Sequence, residues 1–390
     1  MKDTLKQLKP TKLFKDFFES EKSGGLTLIV CTAISLLIAN SKWASSYEHF
    51  WQFIVAGHGI SHWINDGLMT IFFLLIGLEL EREIYLGELS NFKDAMLPIF
   101  AAIGGMLLPA GLFLLLTYGT EGQTGIGIPM ATDIAFALGV LSLLSNKVPT
   151  SLKVFLTALA VIDDLGAILV IAIFYTKSIL WMNLFIALGI FIVLLILNRL
   201  KVRNLIPFLL GGVAMWYFML NSGVHATITG VLLAFAIPFG NGDEKSTSYI
   251  LQHFLHRPVA FIILPLFALA NTAISIDGNI VETLTHSYSL GIAFGLIIGK
   301  PLGIFLISFM VVSLGICKLP FDLDWKAIIG AGFLGGIGFT MSIFITLLAF
   351  ENATIINNAK FMILTASLVA GILGYLFLNF TLKKEVVEIE

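Results

Sequence analysis

Two adjacent aspartates, Asp163 and Asp164, lie near the middle of an apolar run that extends over residues 151–175. That run is long enough to cross a bilayer as a helix, which takes about 20 residues. A carboxylate at that depth costs roughly 2.5–3.5 kcal/mol on insertion scales. Because neighbouring residues on a helix point about 100° apart, one aspartate can face an ion pathway while the other faces a neighbouring helix. We therefore predict a functional site here; two protonated acids bonded between helices are the structural alternative.

The composition indicates a polytopic helical membrane protein. The 390 residues are 57% hydrophobic and only 12% charged, with a mean hydropathy of +0.95, whereas soluble domains carry about a quarter charged residues. We predict a single all-α integral membrane domain with about twelve transmembrane helices, preceded at residues 1–22 by a cytoplasmic amphipathic segment at the membrane surface. The predicted spans are residues 25–40, 58–79, 95–117, 122–144, 151–175, 179–197, 205–220, 224–238, 250–274, 290–314, 327–350 and 359–382.

The basic residues set the orientation of these spans. Of the 23 Lys and Arg residues, Lys300 lies inside a span, and only Lys42, Lys177 and Lys360 fall on one side of the predicted membrane. The remaining Lys and Arg residues lie in or next to the segments on the other side, which also contains both termini. Because cytoplasmic segments carry an excess of Lys and Arg, both termini are predicted to be cytoplasmic.

Two of the spans are interrupted by Gly and Pro. The fourth span carries glycines and a proline within residues 125–133, and the eleventh carries Gly336 and Gly338. Each break is the second span of a group of three, residues 95–175 and 290–382, and the two groups begin an odd number of spans apart. This arrangement predicts inverted-topology repeats with an ion site between two crossing, interrupted helices. Glycines that serve helix packing alone are the alternative for either cluster.

Three ionisable residues within the spans are predicted to act together. Asp133 follows Thr132 at the break in the fourth span, where the freed N–H groups of a half-helix favour an anion. We interpret Thr132 and Asp133 as compensating the charge of the crossed breaks, and an ordinary N-cap is a compatible alternative.

Lys300 needs a partner at its depth in the tenth span, where the aspartates of the fourth and fifth spans are the candidates. We predict an ion pair with Asp163 rather than snorkelling to an interface.

The predicted site offers oxygen ligands to a hard cation and carboxylates that can carry protons. A site that binds either protons or a small cation, and that faces each side of the membrane in turn, is an exchanger. The sequence contains no Gly-x-x-x-x-Gly-Lys-Ser/Thr nucleotide loop and no His-Glu-x-x-His metal motif. We therefore expect transport driven by an ion gradient, no enzyme activity, no cofactor, and no nucleotide or nucleic acid partner.

Six motifs in the same order resemble the NhaA-type Na+/H+ antiporter family over essentially the whole chain. They occupy residues 77–83, 131–136, 161–166, 224–227, 299–303 and 335–342 (GLELERE, ATDIAF, VIDDLG, VHAT, GKPLG and GGIGFTMS). The resemblance implies Na+ and proton binding at Asp163 and Asp164, with Thr132 and Asp133 at the crossing and Lys300 as the partner of Asp163.

The same resemblance implies electrogenic export of Na+ or Li+ across a bacterial inner membrane, driven by protons and activated as cytoplasmic pH rises. It also implies a homodimer joined partly by a β-hairpin in the external loop at residues 45–57. The residues implied in the pH response are Glu79, Arg82, Glu83, His225, His253 and His256. Plain interfacial or core roles stay open for the three histidines. Gln252, where several relatives have Glu, and Glu81, where relatives often carry Lys, depart from the pattern, so the pH profile does not carry over.

Two other functions fit parts of the pattern. A Na+-coupled symporter of organic anions can share crossed, broken helices, but it needs a free fixed cation for the anion. An intramembrane aspartyl protease needs two facing aspartates, which Asp133 and Asp163 could supply. No Gly-x-Gly-Asp sequence occurs within a predicted span, which disfavours the protease.

Overall fold

The structure, a computed structural model, describes residues 12–144, 147–176, 178–275 and 280–382. Within these ranges, residues 12–22, 88, 92–94 and 280 are described by their backbone alone. The helices are, in chain order, α1 (Lys12–Ala39), α2 (Ala44–Gln52), α3 (Ile60–Tyr85), α4 (Phe92–Thr117), α5 (Ile134–Ser142), α6 (Thr150–Phe174), α7 (Trp181–Arg199), α8 (Leu205–Leu220), α9 (Ile228–Ala236), α10 (Thr247–Asn271), α11 (Ile280–Thr285), α12 (Ser287–Ser313), α13 (Trp325–Gly335), α14 (Phe339–Ala349) and α15 (Ala353–Thr381). Two 3₁₀ helices, Glu88–Ser90 and Glu121–Met130, precede α4 and α5.

Every predicted span coincides with a helix or with two helices that meet at a break, as expected for an all-α polytopic membrane protein. Seven of the described helices are long and apolar enough to cross a membrane, and three further bent pairs meet the same test together. The eighth predicted span is shorter than expected. Its helix, α9, has only nine residues, because Gly223 has a φ of +85° and the chain turns before Ile228.

The N-terminal helix is longer than the first predicted span. The backbone of α1 continues from Lys12 to Ala39 without a break, so residues 12–22 of the predicted surface segment are helical and continuous with that span. Residues 1–11 of that segment lie outside the described residues. A bend of 116° separates α1 from α2, and α2 therefore leaves the direction of the span.

A short β-hairpin follows α2, in the loop for which the family resemblance implies one. Strand β1 (Ile54–Val55) pairs antiparallel with β2 (His58–Gly59). The turn between them needs positive φ angles, which Ala56 and Gly57 adopt at 48° and 88°. The hairpin extends two residues past the predicted loop, and the second span therefore begins at Ile60 rather than His58.

Glycines bring the central helices into close contact. A methyl group added to Gly104 of α4 would overlap the carbonyl oxygen of Gly303 in α12, and the reverse substitution would overlap the carbonyl oxygen of Gly104. Small residues allow such backbone approach between membrane helices. Since Lys300 precedes Gly303 by less than one helical turn, this contact also fixes the position from which the Lys300 side chain extends.

The helix that carries Lys300 is widened immediately before that residue. Residues Gly295–Gly299 form a π-helical turn within α12, and Pro301 follows. Proline has no backbone N–H to give to the preceding turn, and its ring crowds the carbonyl four residues earlier. Single π turns are frequent at functional sites. This one lies where the chain must direct a long cationic side chain into the protein.

Candidate functional site

The two interrupted helices cross at the centre of the molecule, as predicted. The pair formed by the 3₁₀ helix Glu121–Met130 and α5 bends by 44°, and the pair formed by α13 and α14 bends by 46°. Backbone joins the two breaks directly, because the Asp133 N–H donates to the Ile337 carbonyl oxygen at 2.7 Å. The half-helix before the first break is 3₁₀ rather than α, consistent with the glycines and Pro129 in that segment.

The glycines of the second break serve close packing rather than an unusual backbone angle. Gly336 and Gly338 have φ angles of −72° and −91°, which any residue can adopt. A side chain at Gly336, however, would overlap the carbonyl oxygen of Leu296, and one at Gly338 would overlap the hydroxyl of Ser342. The break therefore needs small residues because another helix and its own next turn fill the space.

Asp133 lies between the N-terminal ends of both second half-helices. One carboxylate oxygen accepts a hydrogen bond from the Phe136 N–H of α5 at 2.9 Å. The other accepts from the N–H and the hydroxyl of Thr340, in the first turn of α14, at 3.1 and 2.6 Å. The N-terminal end of a helix carries a partial positive charge. A single buried carboxylate thus caps two helix ends, which is the geometry that charge compensation requires.

The ammonium group of Lys300 lies on the opposite side of the crossing from Asp133, at the carbonyl end of the first half-helix. This group lies 2.5 Å from a carboxylate oxygen of Asp163, and neither side chain is exposed. The same ammonium donates to the carbonyl oxygen of Met130, the last residue of the 3₁₀ helix. A cation at a helix carbonyl end is favourable. The sequence indicated the partner Asp163 but gave no sign of the contact with Met130.

The neighbouring aspartates have different surroundings. The oxygen of Asp163 that binds Lys300 also lies 2.8 Å from the Thr132 hydroxyl, which is itself 2.9 Å from the Gly335 carbonyl. Asp164 is equally buried, at 1% exposure, yet neither of its carboxylate oxygens has a hydrogen-bond partner among the described residues. A buried carboxylate without a partner is costly. The Asp164 carboxylate is therefore available to a proton or a cation.

Asp164 faces a small cavity that holds the other polar groups of the crossing. The cavity walls carry the side chains of Asp133, Thr132, Thr340 and Glu79, and apolar residues complete them. Carboxylate and hydroxyl oxygens suit a hard cation. Among the described residues, no three His, Cys, Asp or Glu side chains are arranged to hold a metal ion. Thr132 and Thr340 contribute hydroxyl oxygens to the same cavity as the Asp164 carboxylate.

An aromatic cluster packs next to residues that line this cavity. The rings of Phe73 and Phe344 lie 5.4 Å apart between centroids, and those of Phe267 and Phe344 lie 6.4 Å apart. All three side chains are fully buried. Phe73 follows the cavity-lining Phe72, whereas Glu79 lines the cavity two turns further along α3. Along α3, the aromatic cluster and Glu79 therefore lie nearly two turns apart.

Comparison with known proteins identifies the family. A family model described as Na+/H+ antiporter 1 matches residues 15–378. The chain belongs to the Na+/H+ antiporter 1 family. A Flavobacterium psychrophilum protein named Na(+)/H(+) antiporter NhaA is 74% identical over 381 residues, 98% of this chain and 99% of that protein. Proteins of the same name from Cytophaga hutchinsonii and Vibrio campbellii are 62% and 48% identical, over 97% and 96% of this chain and 97% of each relative.

For a member of the Na+/H+ antiporter 1 family, the residues implied in the pH response fall into two groups. Glu79 and His256 approach to 3.6 Å at one end of the cavity. Nearby, the Arg82 guanidinium lies 5.1 Å from the Tyr249 ring centroid, and Tyr249 stacks on His253. Glu83 follows Arg82 on α3 and is half-buried.

His225 does not join that group. It lies in the turn before α9, where its Nε2 is 2.9 Å from the carbonyl oxygen of Tyr175. Tyr175 follows the last residue of α6, and its hydroxyl accepts a hydrogen bond from the Gly127 N–H at 3.1 Å. His225 thus packs at the far end of α6 from residues 150–153. The predicted topology agrees, because the eighth span starts on the opposite side of the membrane from the ninth.

One residue of the site was missed as a site residue. Thr340 is the hydroxyl partner of Asp133 and also lines the cavity. Its position after the second break mirrors that of Thr132 in the first break, one residue before Asp133. That correspondence is present in the sequence and could have indicated Thr340.

Proposed function

We propose that this protein is a Na+/H+ antiporter in which Asp164 binds either a proton or Na+. The observation that carries the proposal is the contrast between two adjacent buried carboxylates. Lys300 neutralises Asp163, while Asp164 faces the cavity without a partner among the described residues. Membership of the Na+/H+ antiporter 1 family and the names of its close relatives support the same function.

The exchange cycle follows from the cost of burying charge. When Asp164 loses its proton to the cytoplasm, the cavity gains an uncompensated negative charge that Na+ can neutralise. Na+ also attracts the carboxylate of Asp163, which then leaves Lys300. A buried ammonium without a counter-charge tends to lose its proton. Two protons therefore leave for each Na+ that enters, and the cycle moves net charge across the membrane.

Alternating exposure of Asp164 requires the contacts around the crossing to change. Glu79 lies towards the end of α3 that we assign to the cytoplasm, and the cluster of Phe73, Phe267 and Phe344 lies towards the other end. Movement of α3 or α10 relative to the crossed breaks would part the aromatic rings and expose Asp164 to the outside.

The remaining features of the proposal concern the whole molecule. The protein lies in a bacterial inner membrane with both termini cytoplasmic, which the distribution of Lys and Arg supports. Residues 95–175 and 290–382 form inverted repeats, which the crossed breaks and the contact between Gly104 and Gly303 support.

The protein is a homodimer to which the hairpin at β1 and β2 contributes. It transports Li+ as well as Na+, and Glu79, Arg82, Glu83, His253 and His256 set its response to cytoplasmic pH.

The two other candidate functions fit the site less well. A symporter of organic anions needs a cation that is free to bind the substrate, but the ammonium of Lys300 is held by Asp163 and Met130. A protease needs two carboxylates that face one another across a substrate. The carboxylate of Asp133 instead caps two helix ends, and that of Asp163 holds Lys300.

A transport assay tests the proposal. In everted membrane vesicles with an imposed proton gradient, added Na+ or Li+ should release protons from the lumen, as reported by a pH-sensitive dye. The variant Asp164→Asn should abolish this response at equal expression, while Glu48→Gln, a change at a solvent-exposed carboxylate of α2, should preserve it. Cation-dependent exchange by Asp164→Asn would contradict the proposal. Uptake of a labelled organic anion on a Na+ gradient would favour the symporter.

A further inference from the structure

A second titratable cluster lies at the other end of α3 from Glu79. His62 Nδ1 is 3.0 Å from a carboxylate oxygen of Asp66, with side chains that are 37% and 21% exposed. The ring of His58, in strand β2, stacks on that of His62 with centroids 4.3 Å apart and planes inclined by 23°. Among the described residues, His225 also interacts electrostatically with Asp66. The residues His58, His62 and Asp66 are called the mouth cluster below.

We propose that the mouth cluster is a proton-binding site at the external entrance, which collects protons from outside and supplies them when the exchange site opens outward. The proposal rests on the exchange function and the orientation given above. It adds a site for the driving ion that is separate from the carboxylates of Asp163 and Asp164.

The position of Asp66 supports this role. It precedes Phe72, which lines the cavity of Asp164, by six residues on the same helix, or about 9 Å along the axis. It precedes Phe73, part of the aromatic cluster, by seven residues. The mouth cluster therefore lies on the side of these rings away from Glu79. Between the start of α3 and Phe73, His62 and Asp66 are the ionisable side chains of this helix.

The chemistry of the mouth cluster suits proton exchange near neutral pH. Imidazole is the side chain that gains and loses protons between about pH 5 and 8. His62 lies between the carboxylate of Asp66, 3.0 Å from its Nδ1, and the stacked ring of His58. Three side chains that can carry a proton are therefore in direct contact. Within the described residues no three such side chains have the arrangement of a metal site, so a proton is the ligand that this cluster fits.

The surroundings hold Asp66 in place with neutral groups. Its carbonyl oxygen accepts a hydrogen bond from Trp216 Nε1 at 3.2 Å and another from the Thr70 hydroxyl. The preceding residue, Asn65, accepts from the Asn271 amide at 2.7 Å, which connects α3 to the end of α10. These contacts fix the backbone of α3 at the mouth cluster and leave the carboxylate of Asp66 directed to the histidines.

The experiment varies pH on one side of the membrane only. Protein is reconstituted in proteoliposomes, its orientation is measured by site-specific labelling, and Na+ exchange is followed at fixed internal pH. In the double variant His58→Gln/His62→Gln, the exchange rate at alkaline external pH should fall by about threefold. This is the effect of a rise of half a unit in external pH, which lowers the proton concentration by the same factor. Acidification of the external side should restore the parental maximum rate. Asp66→Asn, which keeps the size of the side chain, should shift the external pH profile in the same direction.

The matched control is His286→Gln. His286 also stacks on an aromatic ring, that of Tyr288 at 5.1 Å, and lies on the same proposed face outside the mouth cluster. It should keep the parental profile. Unchanged external pH profiles in both mouth-cluster variants would overturn the inference. Na+-induced proton release from detergent-solubilised variants reports on Asp164 separately: it should persist in the mouth-cluster variants, and its absence from the parent would contradict the exchange function instead.

Discussion

The ammonium of Lys300 lies 2.5 Å from the carboxylate of Asp163 in a part of the molecule where neither side chain is exposed. Removing one partner of a buried pair leaves the other charge without compensation and typically costs about 3–5 kcal/mol. Lys300→Ala and Asp163→Asn should therefore each lower the thermal denaturation midpoint of the purified protein. The double variant Asp163→Asn/Lys300→Gln should recover part of the loss, because no charge is stranded. Single variants as stable as the parent would mean that the pair does not form.

Thr340 should support function through its hydroxyl group. Thr340→Val removes a 2.6 Å hydrogen bond to Asp133 with little change in size, and leaving a buried acceptor short of one bond costs about 1–3 kcal/mol. We expect a lower denaturation midpoint and slower exchange. The control is Thr340→Ser, which keeps the hydroxyl and should retain both properties. Equal behaviour of the two variants would show that shape, rather than the hydrogen bond, matters here.

The contact between α4 and α12 should tolerate no added side chain. Gly104→Ala places a methyl group against the carbonyl oxygen of Gly303, which forces the two helices apart and displaces Lys300. Loss of folded protein or of exchange is expected, as judged by size-exclusion chromatography and the vesicle assay. Gly111→Ala on the same helix is the matched control, because its added carbon meets no atom within 4 Å and alanine favours a helix by about 0.8–1.0 kcal/mol.

Protons and Na+ should compete for Asp164, and the sign of the pH effect follows. A proton on the carboxylate excludes Na+, so the Na+ concentration for half-maximal exchange should rise as the pH falls and reach a constant value once Asp164 is fully deprotonated. The proton displaced from Asp164 gives a limiting slope of about tenfold per pH unit, and the second proton, lost from Lys300, raises it towards about hundredfold where both groups are protonated. Initial rates over a grid of pH and Na+ concentration measure it. A half-maximal concentration that stays constant while only the maximum rate falls in acid would contradict competition at a common site.

The sequence predicted those parts of the site that depend on local spacing. The 100° turn between neighbouring helix positions separates Asp163 from Asp164, and the scarcity of charges at membrane depth leaves few partners for Lys300. Glycine and proline clusters mark both breaks. Each of these inferences needs only the helix repeat and the cost of a charge in a bilayer.

Other parts depend on contacts that no local pattern encodes. Asp133 and Thr340 are 207 positions apart, and the contact between Lys300 and the Met130 carbonyl involves a backbone atom, which the sequence does not reveal. The 3₁₀ form of Glu121–Met130 and the brevity of α9 also depend on how neighbouring helices pack. These features fix the electrostatics at the crossing, so they require the folded structure.

The central claim is tested most directly by proton release from purified, detergent-solubilised protein in a weakly buffered solution. At a pH where transport operates, added Na+ should release protons from the parent protein, and Asp164→Asn should release none while remaining folded. Absence of proton release from the parent, or undiminished release from Asp164→Asn, would contradict the assignment of Asp164 as the shared site for Na+ and H+.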